Sequence, residues 1–243
     1  MKKIVNILYF YCFTFVRSSK YVMPLALLIL LQMSLYIIAR GEALDFINSL
    51  FLAEIFAFTI AIWLGYTSSG WIDEVTEQLL ILRIKSDVLY HSIYCLFLLV
   101  VSVFISLISI LIPTIFHLFD SGLFQQFNVI YFSYSFLLFL GSSFAGISLG
   151  ALFHPRIMVD KNEVSLYVSV VGLVSITRHS IVNQYEIFQY LLWLFPNVSA
   201  HHSIIIDSSQ FTFLIVVRLF LFNMLYGLAY SLIKILLLSR KKF

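Results

Sequence analysis

From Tyr90 to Phe119 the chain runs for thirty residues without a single Asp, Glu, Lys or Arg. As a helix this run would be about 45 Å long, more than the ~30 Å hydrocarbon core of a bilayer requires. It therefore reads as a membrane crossing with length to spare, either tilted or bent at Pro113. The remainder is built the same way: 61% of the 243 residues are hydrophobic, 11% are charged, and the mean hydropathy is +1.00. These values exclude an ordinary soluble domain. They indicate an all-α, polytopic membrane protein made of one transmembrane domain, residues 1–243. Chemistry that needs a large aqueous domain has to come from another chain.

Taken in order, residues 1–20 are rich in aromatic residues and bracketed by Lys2, Lys3, Arg17 and Lys20. The apolar part is too short to span and no small-residue cleavage site follows it, so an interfacial helix is expected in preference to a retained targeting sequence. Spans are expected at 21–39, 48–70, 90–119, 127–153, 164–185 and 211–238. Pro24 is tolerable in the first turn of its helix, where its missing N–H has no intrahelical partner. Arg40, Glu42 and Asp45 form one short outer loop and residues 120–126 another, while 156–163 form an inner loop. Residues 187–206 are broken by Pro196 and too short to cross, so they read as an outer re-entrant region.

Twelve of the fifteen basic residues then fall on one side: Lys2, Lys3, Arg17, Lys20, Arg83, Lys85, Arg156, Lys161, Lys234, Arg240, Lys241 and Lys242. That asymmetry supports six crossings with both termini in the cytoplasm of a cell, expected to be bacterial. Cys12 and Cys95 lie on or near that side and are expected to be free thiols.

Between the second and third spans, residues 71–89 hold six of the twenty-seven charged residues: Asp73, Glu74, Glu77, Arg83, Lys85 and Asp87. The segment reads as a short amphipathic helix with Val75, Leu79, Leu80 and Leu82 on one side and Asp73, Glu77 and Arg83 turned to water. Together, the six spans, the N-terminal interfacial helix, this charged segment and the broken hairpin before the last span resemble the permease subunit of an ABC-2 type transporter. Glu77-Gln78-Leu79-Leu80 is similar to the Glu-Gln-Leu-Leu core that often stands in that family's first inner loop. Val75-Thr76 replaces the usual Gly-Thr with tighter spacing, Arg83 stands where a proline is common, and His91 where a lysine is frequent.

The resemblance implies a coupling helix whose Asp73, Glu74, Glu77, Gln78, Leu79, Leu80, Arg83 and Lys85 meet a cytoplasmic ATPase. It further implies two permease subunits, alike or different, mounted on two copies of that ATPase, with ATP and Mg bound by the partner. A plain solvated loop is the alternative for residues 71–89. The chain itself has no Walker A pattern, no GxGxxG and no basic run able to track nucleic acid, so no cofactor and no ATPase site are expected in it.

Two ionisable residues, Glu54 and Arg218, fall inside expected spans at matching depth, and an ion pair between them would relieve both. Independent snorkelling to the interface is the alternative. Gly141, Ala145, Gly146 and Gly150 carry the four-residue spacing that lets helices approach closely. Gly146-Ile147-Ser148-Leu149-Gly150 matches a nucleophile elbow in letters only, since it lies within an apolar helix. His201, His202 and Asp207 lack metal-site spacing and read as polar residues of a loop near lipid headgroups. The expected function is export of a hydrophobic or amphipathic peptide, lipid or drug. The alternatives are a membrane scaffold, or an intramembrane enzyme, for which no His and Ser or His and Glu set stands out at matched depth.

Overall fold

The computed structural model describes residues 2–38, 46–120, 129–157, 161–207 and 212–240. The expected loop residues Arg40, Glu42 and Asp45, positions 121–126 and 158–160, and the terminal Lys241 and Lys242 lie outside them. Among the described residues the chain is all-helical. Its elements are α1 (Lys2–Ser18), α2 (Val22–Ile38), α3 (Phe46–Ser69), α4 (Glu74–Ile84), α5 (Asp87–Phe119) and α6 (Val129–Ala151), then α7 (Lys161–Gln184), α8 (Gln189–Leu192), α9 (Ala200–Asp207) and α10 (Phe213–Arg240).

Five helices, α3, α5, α6, α7 and α10, are long and apolar enough to cross a membrane. The pair α1 and α2 meets at 72° and counts as a sixth, broken span when taken together. Alone, α2 has 17 residues, about 25 Å of helix. The sharp turn lays α1 over one end of the bundle, where Tyr11 packs on Tyr90, Tyr94 and Phe97 while Phe15 packs on Trp71. Pro113 does not break α5, which continues through it for 33 residues.

The centre of the molecule is α6, whose residues 141–151 are all buried. A helix enclosed on every side must have small residues where its neighbours come closest. On one face Ser142, Gly146 and Gly150 meet Glu54, Phe58 and Ile62 of α3. The numbers rise by four on both helices, so α3 and α6 run parallel in register. A Cβ on Gly146 would stand 2.7 Å from the Phe58 carbonyl oxygen, and one on Gly150 would collide with that of Ile62. Another face sets Gly141 against Asn223, Phe144 against Gly227 and Ser148 against Ser231, so α10 is parallel too. Gly65 and Gly227, absent from the expected packing set, make approaches as close as those of α6. Ala145 is buried with Phe58, Ile62 and Tyr230.

Residues 186–207 form short helical pieces on the flank of α10. The carbonyls of Trp193 and Leu194 accept from the Tyr226 and Tyr230 hydroxyls, both at 2.6 Å, and that of Phe195 accepts from the Arg178 guanidinium. Tyr226 and Tyr230 lie well inside the 28-residue α10, so this irregular backbone reaches far along the bundle with its carbonyls satisfied.

Candidate functional site

Two buried polar layers interrupt the apolar interior. The first lies toward the end of the bundle opposite α4. The register that brings Gly146 to Phe58 also brings Ser142, one turn earlier, to Glu54, and the Ser142 hydroxyl donates to Glu54 Oε1. His201 of α9 reaches the same oxygen through Nδ1 at 2.8 Å. From α10, Asn223 Nδ2 donates to Ser142 Oγ at 3.0 Å and lies 3.4 Å from His201 Nε2. With the imidazole proton on Nδ1, the four side chains close a ring of hydrogen bonds in which each hydrogen has an acceptor. Glu54 is only 2% exposed.

This arrangement corrects two sequence expectations. Glu54 is not paired with Arg218: its partners are Ser142 and His201, while Arg218 is exposed on α10 and has no ion-pair partner among the described residues. Nor is His201 a headgroup-facing loop residue, because it is buried and holds Glu54, whereas half-buried His202 bonds Asn48 Oδ1 at 2.8 Å. The expected absence of a His and Glu set at matched depth is therefore also corrected. The set is nevertheless wired unlike a nucleophilic triad. The Ser142 proton points at Glu54 and not at His201, and Ser142 is fully buried.

The second layer sits under α4. Asp73 caps that helix by accepting from Thr76 N at 3.0 Å, and this bond holds its carboxyl below the usual carboxylate range. At the other end Lys85 takes a left-handed conformation, φ 63°, and its N–H reaches Ile81 O. Ser86 then caps α5, so two residues separate the helices. Glu77 was expected to face water, yet it is 4% exposed and pairs with Arg156 NH1 at 3.1 Å. Position 77 lies about 140–160° around the helix from Val75 and Leu82, so when those face outward Glu77 must face the bundle. Burial pushes its carboxyl up and the Arg156 charge pulls it partly back.

Beside the pair, Lys234, counted from sequence among the basic residues of the inner side, is buried, its Nζ 3.8 Å over the Tyr94 ring. Tyr94 in turn bonds Ser68 at 2.6 Å. His154 accepts from Arg156 N at 3.2 Å, and burial, followed by the charges of Lys234, His91 and Arg156, holds its imidazole down at about 2.

The outward face of α4 carries Val75, Leu79 and Leu82, exposed by 65%, 61% and 71%. Glu74, Arg83 and Lys85 are also exposed and Gln78 is half-buried. Leu80 departs from the expected apolar face, packing inward with Ile81 and Ile84. Thus the structure gathers Glu74, Leu79, Arg83 and Lys85 on an open surface with Val75 and Leu82, and turns Glu77 and Leu80 toward the protein.

Ser142, Asn223 and Arg156 are functional candidates missed from sequence. Ser142 had a readable signal, since it extends the four-residue stripe of Gly146 and Gly150 by one turn. Asn223 and Arg156 had none, because their roles depend on which way α10 and the turn after α6 face. No protein-family model, curated protein or solved structure matches this chain.

Proposed function

We propose that this chain is the membrane permease subunit of an ATP-driven transporter of the ABC-2 type, exporting a hydrophobic or amphipathic molecule. In this reading α2, α3, α5, α6, α7 and α10 are six spans and α1 lies in the interface. Both termini and α4 face the cytoplasm, and residues 186–207 dip in from outside. The twelve-of-fifteen distribution of basic residues supports that orientation.

One observation carries the reading. An 11-residue helix, capped at its start by Asp73, presents three uncovered apolar side chains on one face while Glu77 and Leu80 fasten the other to the bundle. An apolar ridge on a firmly held helix is what a groove on an ATPase can grip. Displacement of α4 passes to α5 through the two-residue Lys85–Ser86 link and toward α6 through Glu77 and Arg156. Closure of two ATPases on ATP and Mg would move two such permeases, alike or different, as rigid bodies between two packings.

The test is co-purification of the full chain with an ABC ATPase from the cells that make it, followed by nucleotide hydrolysis in proteoliposomes. Leu79→Glu places a charge on the exposed ridge without touching the interior. It is expected to abolish co-purification and permease-dependent hydrolysis while leaving thermal stability unchanged. If the wild-type chain recruits no ATPase, or Leu79→Glu recruits it as well as wild type, the reading is wrong. Glu77→Arg would not serve, since it places two like charges in a buried pair and attacks the fold.

A further inference from the structure

Next to the Glu54 ring, on its open side, is a cavity of about 390 Å³ between the end of α7, the 197–204 segment and the first half of α10. That volume suits the head of a small amphiphile with the start of its tail. Two guanidiniums, Arg178 and Arg218, line it together with Asn197, His201, Asn223 and Tyr226. Its apolar wall is made by Ile204, Ile215, Leu219 and Phe222.

The two arginines are held differently. Arg178 is fixed, with NH1 bonded to the Phe195 carbonyl and to Tyr226 Oη, while its Nε is buried without a partner. Asn197 Oδ1, on the same lining, is likewise buried and unpartnered. Arg218 is exposed and has no ion-pair partner among the described residues. The one described carboxylate close by, Glu54, is already engaged by Ser142 and His201 and sits behind the imidazole. Two unneutralised cations at the edge of an apolar wall, inside a bundle fit to cross a membrane, are costly unless an anion or water meets them.

We propose that this cavity binds the anionic head, phosphate or carboxylate, of an amphipathic molecule whose apolar body lies along Ile204, Ile215, Leu219 and Phe222. Arg178 is the fixed half of the clamp and Arg218 the half that swings onto the head. Paired N–H donors in planar forks match the oxygens of either anion. As a statement about cargo the inference rests on the transport reading; as a binding site it stands without it.

The experiment uses the full chain purified in dodecyl maltoside with no ATPase present, so its outcome is separate from that of the coupling test. Dodecyl phosphate, laurate and inorganic phosphate are titrated in turn, read by thermal shift and native mass spectrometry, with further maltoside detergent as the uncharged-head control. Saturable binding of the two tailed anions is expected, at least tenfold tighter than inorganic phosphate, with no saturable stabilisation by the control. Arg218→Gln, at an exposed position, is expected to weaken the tailed anions about tenfold and Arg218→Lys by less. Inorganic phosphate binding as tightly as dodecyl phosphate would show a free-anion site and overturn the proposal. So would equal stabilisation by the uncharged head, unchanged affinity in Arg218→Gln, or no saturable binding at all.

Discussion

The two polar layers each centre on a buried glutamate, but they hold it in different ways. Glu54 is bonded by Ser142 and His201, which Asn223 links into a closed ring drawn from three other elements, with no lysine or arginine bonded to it. Glu77 is held by a full ion pair to Arg156, with a second cation, Lys234, lining the same small pocket. A closed ring can be buried deep because no hydrogen is stranded, and it locks α3, α6, α9 and α10 in one arrangement. An ion pair at the edge keeps both charges and can be remade with other partners. In the transport reading proposed above, the ring belongs to the part of the bundle that stays fixed and the ion pair to the part that moves.

The sharpest way to break this comparison is Glu54→Leu. It strands the Ser142 hydroxyl and the His201 N–H in a dry interior and is expected to cost about 3 kcal/mol, with Glu54→Gln recovering more than half. Equilibrium unfolding in detergent measures both; a cost for Glu54→Leu no greater than for the Arg156 variant below would abolish the distinction. Next in size, Arg156→Met is expected to cost about 2 kcal/mol at neutral pH, and the double change Glu77→Leu with Arg156→Met less than that single one, because the pair is then removed whole.

The Arg156→Met effect has a pH signature. A carboxyl whose folded-state value is raised favours the protonated form, so its contribution falls as pH rises through the ordinary carboxylate range. Arg156→Met protein should therefore be more stable at pH 5 than at pH 7.5 relative to wild type, and a flat difference profile would count against an unpaired Glu77.

His154 gives a smaller effect of the opposite sign. Its imidazole is held down at about 2, so its stabilising contribution is present above the unfolded value near 6.5 and is lost as pH falls through it. His154→Asn keeps an acceptor for Arg156 N and should remove about 1 kcal/mol of acid sensitivity between roughly pH 6.5 and pH 5. Identical acid profiles in the two proteins would show that this histidine titrates elsewhere. Smallest is Lys85→Gly, which relieves a left-handed side-chain residue at the end of α4 and should stabilise by about 0.5 kcal/mol. A loss of stability there would mean that the Lys85 side chain matters more to the link than its backbone.

Depth along the chain matches Glu54 with Arg218, yet the fold gives it Ser142 and His201. Arg218 and Asn223 sit at similar depth on α10, and depth is what residue counting measures. Five residues apart, they point about 140° away from each other around the helix axis. Asn223 faces α6 and Arg218 faces away, which no count along the chain reveals. On α4 the periodicity separated Val75, Leu79 and Leu82 from Glu77 correctly. What it left open was whether the charged side met water or the protein, and Arg156, 79 positions away, supplies the partner.

By itself the amino-acid sequence determined that the chain is helical with five segments long and apolar enough to cross a bilayer, where α4 interrupts them, and which stripe of α6 can tolerate close approach. These are consequences of local composition and spacing, acting through the hydrophobic effect and helix geometry. Only the tertiary structure decided how each helix is rotated about its axis, and hence that Ser142, His201 and Asn223 close around Glu54 while Arg156 closes on Glu77. Rotation is set by packing among all neighbours at once, so residues tens of positions apart become partners for a reason that no single stretch of the chain contains.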